Sequence, residues 1–440
     1  MTLKKSITLF ALVTFVAACG DKETYLPGPR EDLRAPQIEE GEAPVVEADR
    51  SEPIRFANAV NHSAWTHRGG SSSHLVAHPA FSSNPSLIWS VNIGEGDGRR
   101  HRITADPVAA DGRIFVMDSR SQVTAVSETG AILWTQSAVP GHENPDDASG
   151  GGLAVAGGHV YVTTGFGTVL KLDAATGAVL WTHRLDASAT SAPTVQGELV
   201  YVMSRDSVAS AIERDNGRLR WTLRGIPSGA VYTGGPGAVV RNDIAVFPFA
   251  SGDLISAFPR GGVRRWASSI AGERAGAAHA RVMDITGDPV VSGGTLYAGS
   301  SSGRLAAIEI SSGERIWTAQ DGATGMIWPA GGSVFAISDQ NILLRMDARN
   351  GERIWGSELS YYQRQNRPRR RQGIDVHYGP VVAGGLVWVA TGTDSLIGFN
   401  PEDGSLATQV ALPEGATTNM AFVNGTMYVV NTKGQLLAFR

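Results

Sequence analysis

Three features of the sequence carry residue types that could do chemistry: a group of histidines, a glycine–serine motif and a single cysteine. The histidines have spacings that would suit a metal ion, at His62, His67, His74 and His78. Their surroundings are rich in glycine and serine and predict no rigid frame to orient metal ligands. We therefore expect a solvated segment here and no metal site.

The glycine–serine motif is Gly299-Ser300-Ser301-Ser302-Gly303. It matches the pattern of a nucleophile elbow, which requires a turn from a strand into a helix. Here the motif lies between two predicted strands, residues 295–299 and 304–309, and so predicts a hairpin turn. No catalytic residue is expected from it.

The only cysteine, Cys19, follows a short apolar run at the amino terminus. Lys4 and Lys5 precede apolar residues 7–16, and small residues then lead to the cysteine in Val16-Ala17-Ala18-Cys19. This run is too short to span a bilayer and is typical of a signal peptide, which we predict over residues 1–18. A single cysteine excludes internal disulfides and multi-cysteine metal sites.

Residues 19–57 are predicted to form an acidic, disordered tether. From Gly20 to Arg55 there are ten Asp or Glu against five Lys or Arg, with five prolines among them. Such a composition cannot bury enough apolar surface to offset the entropy of ordering the chain.

The remaining composition favours an all-β protein with a large core. Hydrophobic residues make up 42% of the chain, charged residues 18%, and 53 glycines indicate many turns. The net charge of -4 gives no basic surface for DNA or RNA, so no nucleic-acid partner is expected.

A tryptophan repeat sets the predicted fold. The tryptophans recur at intervals of 38 to 51 residues, at Trp89, Trp134, Trp181, Trp221, Trp266, Trp317 and Trp355. Six of these seven follow a glycine by four residues, as in Gly177-Ala-Val-Leu-Trp181. Degenerate copies at 84–89 and 403–408 bring the number of units to eight, and the tryptophans are expected to lie between neighbouring units.

Each unit reads as short alternating strands joined by glycine turns, which predicts a four-stranded antiparallel blade. Eight such units predict an all-β, eight-bladed β-propeller over residues 86–440, preceded by a lead-in segment at residues 58–85. The last unit ends before its tryptophan strand. We predict that strand 86–93 completes this blade and closes the ring.

The segment Leu172-Asp173-Ala-Ala-Thr176-Gly177-Ala-Val-Leu-Trp181 resembles the tryptophan-docking repeat of pyrroloquinoline-quinone propellers. Periplasmic quinoprotein dehydrogenases and the BamB family of outer-membrane assembly lipoproteins share this repeat. The resemblance covers roughly residues 65–440, beginning with Trp65-Thr-His-Arg-Gly69-Gly70. The sequence before Cys19 resembles a lipobox and favours the BamB family.

The resemblance implies that Cys19 carries fatty acyl chains, palmitate among them, and becomes the first residue of the mature protein. Gly20 stands where retention in the inner membrane would call for aspartate. The implied location is the outer membrane, with the lipid-anchored protein facing the periplasm.

The function implied by the resemblance is that of a non-catalytic scaffold without a cofactor or metal, which assists the insertion of outer-membrane proteins. Its implied partners are BamA, other subunits of the assembly complex and unfolded outer-membrane chains. The first alternative is a quinone-dependent periplasmic dehydrogenase, which would need adjacent cysteines that are absent after Cys19. The second is a scaffold for another partner in the cell envelope.

Two segments match the family's BamA-contacting loops in order. The first lies between Trp221 and Pro236, and the second between Trp266 and Pro289. The candidate contact residues in these segments are Arg224, Ser228, Tyr232, Asp284 and Thr286. Asp284 matches an acidic position of the family, whereas Thr286 replaces a second aspartate. Asp284 fits a turn-capping role equally well.

A basic run, Arg364-Gln-Asn-Arg367-Pro368-Arg369-Arg370-Arg371, interrupts the blade pattern of an otherwise acidic protein. We predict an exposed loop. It fits a solvated loop or, through Arg369, Arg370 and Arg371, a contact with an acidic partner or anionic lipid.

Overall fold

The computed structural model describes residues 49–272, 282–363 and 373–440, all within the unit Ala48–Arg440. These residues form antiparallel sheets of four strands each, the blades of the propeller. The first strand along the chain is β1 (Leu87–Asn92). In the part of the chain described, no helix has the length and apolar character to cross a membrane.

Blades 1 to 4 follow β1 directly and are each made of four consecutive strands. Blade 1 contains β2 (Val108–Ala110), β3 (Arg113–Met117), β4 (Gln122–Ser127) and β5 (Ile132–Ser137). Blade 2 contains β6 (Gly151–Ala156), β7 (His159–Thr164), β8 (Thr168–Asp173) and β9 (Val179–Arg184). Blade 3 contains β10 (Thr194–Gln196), β11 (Leu199–Ser204), β12 (Val208–Glu213) and β13 (Leu219–Arg224). Blade 4 contains β14 (Val239–Arg241), β15 (Ile244–Pro248), β16 (Asp253–Ala257) and β17 (Arg264–Ser269).

Blades 5 to 7 repeat this plan, and the last three strands belong to blade 8. Blade 5 contains β18 (Val290–Ser292), β19 (Thr295–Ser300), β20 (Arg304–Glu309) and β21 (Arg315–Ala319). Blade 6 contains β22 (Ile327–Ala330), β23 (Ser333–Ile337), β24 (Ile342–Asp347) and β25 (Arg353–Glu358). Blade 7 contains β26 (His377–Ala383), β27 (Leu386–Thr391), β28 (Ser395–Phe399) and β29 (Leu406–Ala411). Blade 8 contains β30 (Ala421–Val423), β31 (Thr426–Val430) and β32 (Gln435–Phe439).

The predicted closure of the ring is confirmed, because β1 is the fourth strand of blade 8. It pairs antiparallel with β32 in the order β1-β32-β31-β30. The backbone N–H of Ser86 donates to Arg440 O at 2.8 Å. The two ends of the propeller are thus held in one sheet, which leaves no unpaired edge between the first and last units.

As predicted, the tryptophan repeat joins neighbouring blades by a hydrogen bond and a ring contact at seven of the eight junctions; blade 7 has Thr408 at the tryptophan position. The indole N–H of each of the seven tryptophans donates to a backbone carbonyl of the following blade at 2.8 to 3.1 Å. The following blade also presents a glycine against the ring. Gly217 has φ of +75°, and a Cβ atom on it would lie 2.8 Å from the Trp181 ring. The glycine that precedes each tryptophan by four residues therefore receives the tryptophan of the previous blade.

The central part of the lead-in segment, residues 65–76, lies in the axial channel of the propeller, and Trp65, His67, Gly69, Gly70 and His74 are buried there. It meets the innermost strands in turn: Trp65 exchanges backbone hydrogen bonds with Ala109 of β2, and Thr66 O accepts from Val155 of β6. Its other contacts reach further blades. Ser72 O and Ser73 O accept hydrogen bonds from Val240 N and Val291 N. The Trp65 ring packs against the rings of Trp328 and Phe422.

The prediction of a solvated histidine segment is therefore wrong for His67 and His74, which are buried. His67 Nε2 accepts a hydrogen bond from Val195 N, and His74 Nδ1 lies 2.9 Å from Pro289 O. Burial, with the nearby His74, lowers the pKa of His67 to about 3, so its imidazole is neutral. The segment is rich in glycine because it passes close to other backbone. A Cβ on Gly69, for instance, would lie 2.4 Å from His74 O.

Residues 49–57, which we call the strap, lie against blades 6 and 7. The backbone N–H of Arg50 donates to Ile354 O, and that of Glu52 donates to Glu402 O. The composition of this stretch predicted a continuation of the disordered tether. The structure differs because a buried arginine, Arg345, donates to Glu52 O at 2.6 Å and holds the strap in place.

Candidate functional site

The loops that join the outer strand of one blade to the inner strand of the next share one face of the propeller, here called the loop face. Six of these loops surround a cavity of about 630 Å³ at the propeller axis. We call it the axial cavity. Each of the six loops contributes to its wall, through Thr104, Gly234, Thr286, Thr324, Val376 and Asn419.

A buried ion cluster forms the floor of the axial cavity. Arg68, from the lead-in segment, places its Nε atom 2.6 Å from Asp106 Oδ2 and 3.3 Å from Asp288 Oδ2. Its Nη1 atom donates to Gly234 O and Gly235 O, both at 3.2 Å. Burial alone would lower the pKa of Arg68, but Asp288 and Asp106 raise it above its ordinary value. The lead-in segment is thus bonded to three inter-blade loops.

Two of these loops correspond to the segments singled out in the sequence. Loop 3/4 (residues 225–238) joins β13 to β14, and loop 4/5 (residues 270–289) joins β17 to β18. Two carboxylates of loop 4/5 bind backbone N–H groups of loop 3/4. Asp284 Oδ2 accepts from Tyr232 N at 2.9 Å, and Asp288 Oδ1 accepts from Gly237 N at 2.6 Å. Residues 225–238 and 282–289, the described parts of the two loops that face each other, are therefore preorganised as one surface.

The predicted contact residues are distributed unevenly over this surface. The structure brings Tyr232 and Asp284 together, with Tyr232 exposed and Asp284 only 3% exposed. Thr286 lies on the wall of the axial cavity and donates to Ala323 O. Arg224 is exposed at the end of β13, and Ser228 donates within its own loop to Ala230 O. The Asp284 carboxylate thus binds loop 3/4 and is not exposed on the surface.

The remaining predicted positions fall outside the described residues. These are the lipidation residue Cys19 and the three arginines Arg369, Arg370 and Arg371. The base of the arginine-rich loop is described: Gln363 N donates to Gly373 O at 3.0 Å, and both residues line the axial cavity. The roles of the four residues stay predictions.

Exposed apolar side chains on the loop face were not singled out in the sequence. Ile226 and Met283 extend from loops 3/4 and 4/5, and Ile374 and Val376 lie in the next loop but one. Large apolar residues at positions predicted to be loops are the signal that would have identified them, because exposed apolar groups concentrate at binding surfaces.

The axial cavity does not fit the quinone that related propellers hold. Pyrroloquinoline quinone is a polycarboxylate, and the cavity already presents the carboxylates of Asp97, Asp106 and Asp288. Its buried cation, Arg68, is paired with two of them. In the described residues no group of His, Cys, Asp or Glu side chains could hold a metal ion. An anionic quinone would therefore meet unfavourable charge here.

The glycine–serine motif lies, as predicted, in a hairpin turn between β19 and β20. Ser301 is buried, and its hydroxyl donates to Val282 O at 2.9 Å in loop 4/5. The motif therefore supports loop 4/5 and offers no exposed nucleophile at Ser301.

The Asp284→Asn variant is expected to change how stability depends on pH. Burial raises the pKa of Asp284 to about 6, although the N–H groups of Tyr232 and Ile285 oppose this shift. A carboxyl with a raised pKa favours the folded state at low pH, and this contribution disappears as the pH rises from about 4 to about 6. Asparagine still accepts from Tyr232 N without ionising. As the pH rises over this range, the free energy of unfolding of the variant should therefore increase by up to about 3 kcal/mol relative to that of the wild type.

Urea unfolding of both proteins between pH 4 and pH 8 measures this difference. Every other titrating group is common to the two proteins and cancels. A difference in free energy that stays constant across the whole range would contradict the assignment.

Comparison with known proteins identifies the family. The family model described as outer membrane protein assembly factor BamB matches residues 75–147, 119–357 and 363–440. BamB of Yersinia pestis is 25% identical over 245 residues, which are 54% of this chain and 62% of that protein. BamB of Escherichia coli K12 is 23% identical over 243 residues, again 54% and 62%. The aligned region thus spans less than two thirds of these relatives.

Solved structures share the fold at low identity. BamB from Moraxella catarrhalis superposes with a TM-score of 0.67 at 17% identity, over 81% of this chain and 99% of that one. The quinohemoprotein alcohol dehydrogenase of Comamonas testosteroni gives 0.66 at 15% identity, over 87% and 81%. Fold similarity alone does not separate assembly factor from enzyme. The family model is more specific than the fold, and it matches most of the propeller. This chain therefore belongs to the BamB family of outer membrane protein assembly factors.

Proposed function

We propose that this protein is a lipid-anchored, non-catalytic scaffold of the outer-membrane β-barrel assembly complex, which binds BamA through its loop face and assists the insertion of outer-membrane proteins. Acylation at Cys19 would hold it on the periplasmic side of the outer membrane. The outer strands of the blades would be available to unfolded client chains.

The observation that carries this proposal is the preorganised pair of loops on the loop face. Loops 3/4 and 4/5 are bonded through Asp284 and Asp288, so a partner would meet a surface that needs little ordering on binding. The pair exposes Ile226, Tyr232 and Met283, large side chains of the kind that dominate interface energies.

Support against an enzyme comes from the chemistry of the axial cavity. Among the described residues that line it, the one deeply buried arginine, Arg68, is paired with carboxylates, and the sole cysteine of the chain is Cys19. The remaining alternative is a scaffold for another partner of the cell envelope, and a direct binding experiment separates it from the proposed function.

Affinity purification from detergent-solubilised outer membranes tests the proposal, using the full-length protein with a carboxy-terminal tag. The wild type should recover BamA. The double variant Tyr232→Glu, Met283→Glu should recover at least about tenfold less, because two charges would be placed in the apolar centre of the contact. A Cys19→Ala variant, made in parallel, should be lost from the membrane fraction.

The matched control is Leu133→Glu with Leu180→Glu, two similarly exposed apolar residues on the outer strands of blades 1 and 2. This control should recover BamA as the wild type does. Folded, lipidated wild type that recovers no BamA would direct the search to a different envelope partner.

A further inference from the structure

The strap shows how this propeller binds an extended segment. It lies on the face opposite the loop face, in the groove between blades 6 and 7, which we call groove 6/7. Arg50 N donates to Ile354 O at 2.9 Å, and Glu52 N donates to Glu402 O at 3.1 Å. Asp49 forms an ion pair with Arg353 at 3.0 Å. The strap is thus held by the carbonyls of Ile354 and Glu402 and by two charged side chains of the groove, those of Arg353 and Arg345.

The strap covers a position that is open in other blades. Ile354 is the residue before the docking tryptophan and is 2% exposed, whereas its counterparts Leu133 and Leu180 are 47% and 52% exposed. Ile354 is also the unpaired residue of a β-bulge in β25, since Arg345 pairs with Trp355 and Met346 pairs with Arg353. The outer strand of every blade has a bulge at this position, so the grooves differ in what covers the unpaired residue.

The docking tryptophans give the equivalent position in seven of the eight grooves, because each indole N–H donates to the same carbonyl of the next blade. The residues that carry this carbonyl are Glu128, Ala174, Arg214, Pro259, Ile310, Ala348 and Pro401. Proline occurs at only two of these seven positions. One is Pro401, in groove 6/7, and the other is Pro259, between blades 3 and 4.

The groove between blades 2 and 3 shows what a longer side chain does at this position. There Arg214 turns back across the groove, with its Nε donating to the Tyr161 hydroxyl at 2.9 Å and its Nη2 to Ala156 O at 3.2 Å. Its guanidinium occupies the space that the strap occupies between blades 6 and 7. Proline has no side chain that can reach across in this way.

Groove 3/4, between blades 3 and 4, is open, with a cavity of about 760 Å³. The counterparts of Ile354 and Glu402 are Arg220 and Arg260, and both line this cavity. Arg220 is again the unpaired residue of a bulge, since Trp221 pairs with Ala211 and Leu219 pairs with Ile212. Groove 3/4 therefore repeats the backbone positions that bind the strap, but Ala211 stands where groove 6/7 has Arg345.

The charges of groove 3/4 define the chemistry of its occupant. Glu198, Glu213 and Asp215 line the cavity, and Arg220 is paired with Glu213 at 3.1 Å. The carboxylates outnumber the arginines. We propose that groove 3/4 binds an extended segment of a partner protein that carries a basic residue, in the manner in which groove 6/7 binds the strap. This site lies on the face opposite the proposed BamA contact and is independent of it.

Two synthetic peptides test the proposal. The first has the sequence of residues 48–57, and the second is the same peptide with Asp49→Lys and Glu52→Lys. Fluorescence anisotropy with the purified full-length protein measures their binding. The lysine peptide should bind at least about tenfold more tightly than the unmodified peptide, because the groove is acidic.

Three variants test whether this binding takes place in groove 3/4. Pro259→Arg should weaken binding of the lysine peptide at least about tenfold, since the new side chain can cross the groove as Arg214 does. Ala348→Arg makes the same addition at the equivalent position between blades 5 and 6, and it should leave binding unchanged. Glu198→Lys changes charge without touching the proline and should weaken only the lysine peptide.

Hydrogen exchange locates the bound peptide. Protection is expected in residues 213–222 and 259–262. No binding of either peptide, binding unaffected by Pro259→Arg, or protection confined to blades 6 and 7 through displacement of the strap would each overturn the proposal.

Discussion

The Arg68→Met variant is expected to lose about 3–5 kcal/mol of its free energy of unfolding, because one partner of a buried ion cluster is removed. Asp106 and Asp288 would remain buried beside the axial cavity with no guanidinium between them. The bonds from Arg68 to Gly234 O and Gly235 O would also be lost. Urea unfolding, followed by tryptophan fluorescence, measures the change.

The control for this prediction is Arg102→Met, also beside the axial cavity. The Arg102 side chain is 66% exposed and lies 3.3 Å from Asp97. Removal of an exposed ion pair costs about 0–1 kcal/mol. Equal losses for the two arginine variants would show that the cluster does not hold the lead-in segment.

The Gly217→Ala variant is expected to lose about 2–4 kcal/mol of stability from two separate causes. Gly217 has φ of +75°, a conformation that costs a residue with a side chain about 1–2 kcal/mol. The new Cβ would also lie 2.8 Å from the Trp181 ring and displace it from its place between blades 2 and 3. Thermal and urea unfolding both measure the loss.

Gly197→Ala separates the two causes. Gly197 has φ of +60°, but a Cβ there would meet no atom within 4 Å. Its substitution should therefore cost only the conformational part, about 1–2 kcal/mol. If the two glycine variants were equally stable, the contact between tryptophan and glycine would not contribute to the joining of the blades.

The central role of Arg68 has a consequence for the proposed binding surface. The side chain comes from the lead-in segment, yet it bonds to residues of three inter-blade loops, among them loops 3/4 and 4/5. A partner that contacts these two loops would thus meet a surface supported from within the axial channel. The Arg68→Met variant should for this reason also recover less BamA.

Much of the fold could be predicted from local pattern. The tryptophan recurs in seven of the eight blades, and in six of them a glycine lies four residues before it, because these blades meet their neighbours in the same way. The closing strand was predictable for the same reason. The last unit lacked its fourth strand, and residues 86–93 carried Trp89 without strands before it.

The candidate site was less predictable, because its contacts join residues far apart in the sequence. Tyr232 and Asp284 were each singled out, but their mutual hydrogen bond depends on the packing of blades 4 and 5. Ile226 and Met283 are unremarkable in sequence, and only their exposure on the loop face draws attention to them.

The sequence by itself therefore determined the repeat, the number of blades and the closure of the ring, because these follow from local spacing that the blades repeat. It indicated the family separately, through the resemblance of residues 172–181 and of the segment before Cys19 to known proteins. Only the tertiary structure decided where the irregular segments lie. The composition of the lead-in segment, rich in glycine and serine, predicted a solvated segment, but its central part lies in the axial channel. The composition of the strap, acidic and containing proline, predicted a disordered tether, but Arg345 and two backbone carbonyls bind it. These placements depend on the space left between blades, which no local pattern encodes.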